Sequence, residues 1–459
     1  MMSSKTKQYE MDMCSGPILR KMLMFALPLM LSSILQLLFN AADIVVVGKF
    51  AGDNSLAAVG SNTALINLLT NLFIGLSIGA NVVAARHYGA KAWDDLRRTV
   101  HTAMLLSMLS GALLLVLGVI GAEQMLIWMQ TPEEVLPLAT VYLRIYFLGM
   151  ISTMVYNFGS ALLRAVGDTK RPLYFLLCAG IINVILNLLF VIGFQMDVMG
   201  VAIATVISET VSALLVLRCL VKEKGGIHLE LRAMRIDRKK MLQILRIGLP
   251  AGFQGVVFAL SNVVIQSSVN IFGNIVVGNS AAANLEGFVY MAMNAFYQTT
   301  LSFVSQNYGA GEQKRINRIV LLGEACVIVT GTLLGNMVVF FGNDLLQIYS
   351  NNPEVIAGGM VRLHYISMIY ALCGIMDVMV GALRGIGYSI MPMIVSIVGV
   401  CVLRLIWLAT VFQIPEFHKI ETVYLSYPVT WILTSLVYIV FFVWIRIRSA
   451  RKKSAPSAA

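Results

Sequence analysis

Charge is scarce in this sequence. Only 12% of its 459 residues are Asp, Glu, Lys or Arg, while 58% are hydrophobic and the mean hydropathy is +0.81. So little polar surface cannot coat a water-soluble globule, which places the chain in a lipid bilayer. Cysteine is sparse and scattered: Cys14, Cys178, Cys219, Cys326, Cys373 and Cys401 form no close pair. That spacing resembles no metal clip, and the six are expected to be small buried apolar residues, reduced and inert. Histidine is sparser still, with His87, His101, His228, His364 and His418 far apart. No GxSxG, HExxH, phosphate-cradling loop or paired-acid motif occurs, and the loops are too short to house a soluble active site. An integral-membrane enzyme is therefore the least favoured reading, and no cofactor is expected. A basic stub followed by a short apolar core and a small-residue cleavage site is also missing, so nothing is expected to be removed in maturation.

Long apolar runs are what the sequence does have. A spanning helix needs about 20 predominantly apolar residues, and twelve segments qualify: 21–48, 56–84, 99–121, 136–163, 173–194, 200–221, 247–272, 280–306, 318–341, 358–383, 390–412 and 424–445. An even number of spans puts both termini on one side. Of the 34 Lys and Arg, all but five fall in the tails and in the loops of that side; the exceptions are Lys49 and Lys419 on the opposite face and Arg144, Arg362 and Arg404 within spans. The basic side of a membrane protein is the cytoplasmic one, so both termini are expected in the cytoplasm. The net charge of +11 is then topology and no sign of nucleic-acid binding. Compact loops and the missing targeting segment suit the cytoplasmic membrane of a prokaryote.

The chain also repeats itself. FALPLM at 25–30 returns as IGLPAG at 247–252, HYGAK at 87–91 as NYGAG at 307–311, and ALLRAVGDTKRP at 161–172 as GALRGIGYSIMP at 381–392. The offset is 222 residues at the first pair and 220 at the other two. Six spans, an even number, separate the copies, so both enter the membrane in the same orientation and form parallel repeats about an axis along its normal. The expected fold is all-α and integral to the membrane, with twelve transmembrane helices in two parallel six-helix repeats. Its parts are a cytoplasmic tail 1–20, an N-lobe 21–221, a basic linker 222–246 read as a solvated connector, a C-lobe 247–445 and a basic tail 446–459.

The stretch LLFNAADIVVVGKFAG, residues 37–52, sets Asp43 inside an otherwise apolar run. An ionised carboxylate at bilayer depth costs at least a few kcal/mol, so Asp43 is expected to face the bundle interior and to have partners. Span five carries Asn183 and Asn187 at i and i+4, on one helical face; span six carries Thr205 and, four residues on, Glu209. Counted from the outer ends of their spans, Asp43, Asn183, Asn187 and Thr205 share a depth in the outer half of the membrane. One carboxylate with amide and hydroxyl oxygens suits a hard monovalent cation such as Na+, whereas soft metals call for Cys or His. The same Asp can instead carry a proton. The bland alternative for the two amides is a helix-to-helix tie, worth about 0.6 kcal/mol in membranes. Asp43, Asn183, Asn187, Thr205 and Glu209 are the candidate coupling residues, with Na+ or H+ as the ion.

Asp43 in its apolar helix, YGA after spans two and eight, the LLRAVGDTKRP and LRGIGYSIMP turns, and GVAIATVISE in span six together resemble the multidrug and toxic compound extrusion (MATE) family, over residues 15–445. The resemblance implies two lobes facing each other in a V, alternating access, and export of amphipathic organic cations driven by inward sodium or protons. It also implies that the positions of Asp43, Asn183, Asn187 and Thr205 form a cation site in the N-terminal lobe. The sequence departs from some members at Asn187, where they have Asp, at Glu209, where Gln is common, and at Phe258, where some carry a Glu; the ion preference stays open. A lipid-linked oligosaccharide flippase of the same superfamily is the alternative, with a groove of arginines such as Arg144, Arg362 and Arg404 for a pyrophosphate.

The second repeat does not copy the cluster. At the 220-residue offset Arg404 matches Val184, beside Asn183, and Trp407 matches Asn187, so ion coupling is assigned mainly to the N-terminal lobe. Arg404 is expected to pair with Glu286 or Asp377, as a buried ion pair or as a substrate contact. Asp377, the repeat partner of Asn157, is expected at a gate or in a helix tie. EGFVYMAMNAFYQTT in span eight gathers Glu286, Phe288, Tyr290, Met293 and Tyr297; soft aromatic surface beside an acid suits a lipophilic cation, though such a stripe more often packs a core or faces lipid. With Arg404 these residues make the candidate substrate cavity. The expected partners are small organic cations and the bilayer, with no nucleic acid and a monomeric chain.

Overall fold

Inside a bilayer the backbone has no water to bond, so long apolar runs satisfy their own N–H and C=O groups as helices. The computed structural model of the chain describes residues 9–273 and 275–454. Lys5 and Lys7 of the basic N-terminal tail and the end of the C-terminal tail, 455–459, lie outside the described residues. Every regular element among the described residues is helical. The first repeat contains α1 (Ile18–Phe50), α2 (Asp53–Gly89), α3 (Trp93–Trp128), α4 (Leu136–Leu148), α5 (Met150–Ala165), α6 (Lys170–Leu188) and α7 (Asp197–Lys222). The second contains α8 (Arg238–Val269), α9 (Ile275–Gly309), α10 (Gln313–Phe340), α11 (Gly342–Gln347), α12 (Pro353–Ile366), α13 (Ala371–Gly385), α14 (Ile390–Ser396), α15 (Leu403–Ala409) and α16 (Ile420–Ser454).

Nine helices among the described residues are long and apolar enough to cross a bilayer; two bent pairs raise the number to eleven if each pair is one span. The remaining expected span, 280–306, lies in α9, which is long but interrupted by Asn284, Glu286, Asn294 and Gln298 and is not among them. Large side chains point outward along these helices, with Ile120 78% and Phe340 82% exposed, as lipid-facing surfaces require. The chain is a multi-pass membrane protein.

The backbone carries the internal repeat. The bent pairs, α4 with α5 and α12 with α13, turn by 47° and 46°. Gly167 and Gly387 adopt φ of 95° and 99°, 220 residues apart, in the two matched turns. Lys91 and Gly311, also 220 apart, adopt φ of 55° and 77° where a helix ends in the left-handed region that glycine enters without steric cost.

Two compact units divide the chain: one takes residues up to Val256 with Ser305–Gln313, the other Val257–Val304 with the residues from Lys314 on. The division therefore falls inside α8. The connector before it exposes most of its charged residues but is anchored to the first unit at a few points. Ile227 and Leu229 are fully buried, Glu230 N donates to His101 Nε2 at 3.2 Å, and Asp237 N donates to Thr102 Oγ1 at 3.0 Å. Asp237 in turn caps α8, accepting from Lys239 N at 2.9 Å and Lys240 N at 3.1 Å. Those N–H groups hold its carboxyl below the usual carboxylate range. Two apolar residues among many charges anchor the segment, a signal that a charge run masks.

Within the first unit the start of α8 packs on α2 through glycines. A Cβ at Gly248 would stand 2.6 Å from Leu76 Cα and 3.0 Å from Gly75 O, and one at Gly79 would stand 2.9 Å from Gly248 N. Apolar burial gains little over contact with lipid tails, so helix association in a membrane rests on such close approach of small residues.

Candidate functional site

The expected quartet of the first unit comes together. The carboxylate of Asp43, on α1, accepts from Asn187 Nδ2 on α6. The same nitrogen donates to Asn183 Oδ1 at 3.2 Å, one turn earlier on α6, as the i, i+4 spacing requires. Asn183 Nδ2 donates to Thr205 Oγ1 of α7 at 3.4 Å, and the Thr205 hydroxyl donates on to Val201 O at 2.9 Å. Three helices thus converge on one chain of hydrogen bonds. Asn183 and Asn187 are buried, 5% and 1% exposed, yet Asn187 Oδ1 has no hydrogen-bond partner. Asp43 forms no ion pair among the described residues. The result is an oxygen-rich site with one negative charge, no fixed cation and one buried acceptor unused. Such donors fit a hard monovalent cation or a proton; none of the softer ligands is present, and among the described residues no three His, Cys, Asp or Glu side chains gather as a metal site.

Glu209 does not join this chain. It lies on the Thr205 face of α7 one turn further on, and its carboxylate accepts from the Thr153 hydroxyl of α5; beside it Ser152 and Thr210 share a hydrogen bond of 3.0 Å. Two tyrosines that sequence reasoning missed, Tyr142 and Tyr146 of α4, stack with centroids 6.0 Å apart and lie within electrostatic reach of both Asp43 and Glu209. Nothing in their local pattern separates them from ordinary core aromatics. Asn157, expected beside a gate, donates to Thr153 O of its own helix at 2.8 Å.

The second unit pairs its charges differently from expectation. Glu286 of α9 meets Arg362 of α12, with Arg362 Nη2 donating at 2.7 Å and Nε at 3.1 and 3.2 Å to the two carboxylate oxygens. Arg362 Nη1 also donates to Asn279 Oδ1 at 2.8 Å, which accepts the Tyr424 hydroxyl at 3.0 Å. Arg404 of α14–α15's broken helix is left to Thr430 Oγ1, 3.0 Å from its Nη2, and to the face of Tyr427. The Arg362 fork approaches the carboxylate with two nitrogens and supplies its counter-charge, so Glu286 is paired with Arg362 in place of Arg404.

The substrate stripe separates along α9. At about 1.5 Å per residue, Glu286 and Tyr297 are some 16 Å apart on the helix axis. Tyr290 and Arg404 line a cavity of about 300 Å³ in this unit. Met293 packs its sulfur against Gly331 and Gly374 positions, the Tyr297 hydroxyl accepts from Arg384 Nη1 at 2.8 Å, Glu286 is held by Arg362, and Phe288 is half-buried outside the lining. Asp377 stands in the same wall as Tyr290, its hydroxyl partner, and keeps Oδ2 without one. Phe258 is there too, at the position considered for a second acid. Glu324 of α10, another acid within a span, has neither carboxylate oxygen hydrogen-bonded; the rule that singles out Asp43 points to it as well.

Known proteins share this architecture and sequence. The MatE family model matches residues 28–189 and again 250–409, one match in each repeat. The chain is 29% identical over 397 residues to Bacillus subtilis YpnP, named as a multidrug resistance protein, with 86% of this chain and 88% of that one covered. It is 26% identical over 432 residues, 92% of this chain and 94% of the other, to a Shewanella oneidensis protein named FAD transporter. A solved multidrug resistance MATE family transporter of the MOP superfamily, in an outward-facing conformation, matches with a TM-score of 0.88 at 22% identity, over 96% of this chain and 98% of that one. That likeness establishes the fold.

Proposed function

The chain belongs to the MatE family of transporters, and we propose that it is a secondary active efflux antiporter. It exports amphipathic small molecules, organic cations among them, across the cytoplasmic membrane in exchange for Na+ or H+ by alternating access. Its termini and basic loops face the cytoplasm.

The observation that carries this reading is the cluster of Asp43, Asn187, Asn183 and Thr205. Asp43 supplies the single negative charge. Asn187 holds that carboxylate through its amide nitrogen and leaves its own carbonyl oxygen buried without a donor, at a cost of about 1–3 kcal/mol. Asn183 and Thr205 add two more oxygens within one turn of helix. A cation or a proton bound there neutralises Asp43 and removes most of the penalty of keeping a charge at bilayer depth. The empty and loaded sites thus differ in charge, and a ligand shifts a conformational equilibrium by as much as its affinity differs between the two states. Repeats that rock around a site near the midplane then convert that difference into a change of side.

The name of YpnP supports efflux of several drugs; that of the Shewanella relative shows that cargo differs between similar chains. Two of the three arginines named for the flippase reading already have acidic partners. Arg144 is surface-exposed and pairs with Glu123 at 3.3 Å in the first unit, and Arg362 is neutralised by Glu286.

Proteoliposomes loaded with a fluorescent lipophilic cation test the proposal. A sodium gradient and a proton gradient are imposed separately, and one of them is expected to accelerate efflux. Folded protein that responds to neither contradicts the antiporter reading.

A further inference from the structure

The family resemblance implies cationic cargo, but the names of the similar chains, a multidrug resistance protein and an FAD transporter, state no charge. In the second unit, the cavity of about 300 Å³ is walled by rings of Phe258, Tyr290, Tyr370, Tyr427 and Trp431. Tyr370 and Trp431 lie with centroids 5.6 Å apart, and Tyr427 meets Trp431 edge-on at 5.7 Å. Flat aromatic walls in a volume of this size fit one fused-ring or substituted-ring system.

One fixed charge stands in that wall. Arg404 is 3% exposed. Its Nη2 donates to Thr430 Oγ1 at 3.0 Å, and its guanidinium carbon lies 3.9 Å from the centroid of Tyr427. Its Nε has no hydrogen-bond partner, and among the described residues Arg404 makes no ion pair. Arg362 also faces the Tyr427 ring, at 5.8 Å, but is fully matched by Glu286. A guanidinium does not lose its proton in proteins, so this positive charge persists in every state of the cavity. A buried charge without a counter-ion is costly, and a ligand anion relieves that cost.

We propose that this cavity binds an aromatic solute through an anionic oxygen group, a carboxylate or a phosphate, placed against Arg404, with the ring system among the five aromatic side chains. The proposal rests on the exporter reading and names a class of cargo for it. Asp377, in the same wall with Oδ2 unpartnered, accepts a hydrogen-bond donor of the solute. Asp377 is already held by the Tyr290 hydroxyl whereas Arg404 has no ion pair among the described residues, so an anion is the group that Arg404 selects.

The test uses purified full-length protein in detergent at equilibrium, with no gradient, so its outcome is independent of whether efflux is ion-driven. Binding is read by energy transfer from tryptophan to dansylglycine, to its uncharged amide and to the cationic dansylcadaverine. Wild type is expected to bind the acid roughly 10- to 100-fold more tightly than the amide, the range of one or two charge-assisted hydrogen bonds. Arg404→Gln is expected to abolish that preference, while cationic dansylcadaverine, relieved of a like charge, binds no more weakly than to wild type. Equal binding of acid and amide by wild type overturns the proposal, and so does a preference that survives in Arg404→Gln. Because the ligand pair varies the charge on wild-type protein, the decision stands even where the variant does not fold. Free acetate and inorganic phosphate, tested as competitors, separate the two anion types: the one that displaces dansylglycine at lower concentration names the preferred group.

Discussion

Asp43 and Glu286 are both acids within apolar helices, and their surroundings assign them different work. Glu286 is locked in a fork with Arg362 that is backed by Asn279 and Tyr424, a buried pair whose role is structural. Removing one partner of such a pair leaves a naked charge. Arg362→Gln is therefore expected to cost about 3–5 kcal/mol, read as a lowered thermal midpoint, and the double variant Arg362→Gln with Glu286→Gln is expected to recover most of it. If the single variant melts like wild type, the pair does not carry the second unit. Asp43 has amides in place of an arginine, which leaves its charge available to a mobile partner. The quartet around it was legible because helical spacing and distance from the span ends fix both face and depth. The pairing of Glu286 was not, because depth along a helix does not say which neighbouring helix presents its arginine.

At the scale of elements, helical type follows from apolar run length, whereas the number of helices apolar enough to span, nine to eleven among the described residues against twelve expected, and the breaks within them do not. The bends between α4 and α5 and between α12 and α13 interrupt runs whose composition is continuous. The anchoring of the connector was hidden for a related reason: Ile227 and Leu229 are two residues in a segment dominated by charge. The contact between α2 and α8 depends on residues that a hydropathy reading treats as weak. Gly79→Val adds a side chain where the Gly248 backbone stands, and overpacking of this kind costs about 1–3 kcal/mol or more. The expected outcome is a lowered thermal midpoint and a larger aggregated fraction in size-exclusion chromatography. A variant indistinguishable from wild type would show that the two helices separate freely.

For the molecule as a whole, the repeat is the organising fact. Motifs, the paired 47° and 46° bends and left-handed turns 220 residues apart all return in the second half, while the acids and arginines within the spans do not. The repeat thus carries two arrangements: a carboxylate among amides in the first unit, and in the second an arginine without an ion pair among the described residues, in an aromatic wall that also holds Asp377. The proposed orientation, with both termini in the cytoplasm, rests on the basic loops. Cysteines introduced singly at Lys49 and Lys419 are expected to react with an impermeant maleimide from outside intact cells, and those at Lys91 and Lys170 only after lysis; the reverse pattern would invert the topology. The account depends most on Asp43 as the place where the driving ion is felt. The decisive measurement is gradient-driven efflux from proteoliposomes by Asp43→Asn beside wild type, with the thermal midpoint as a check of folding. The account expects the variant to fold at least as stably as wild type, having lost a charge that lipid penalises, and to lose its response to the driving gradient. A folded Asp43→Asn that still exports at the wild-type rate under that gradient would contradict it.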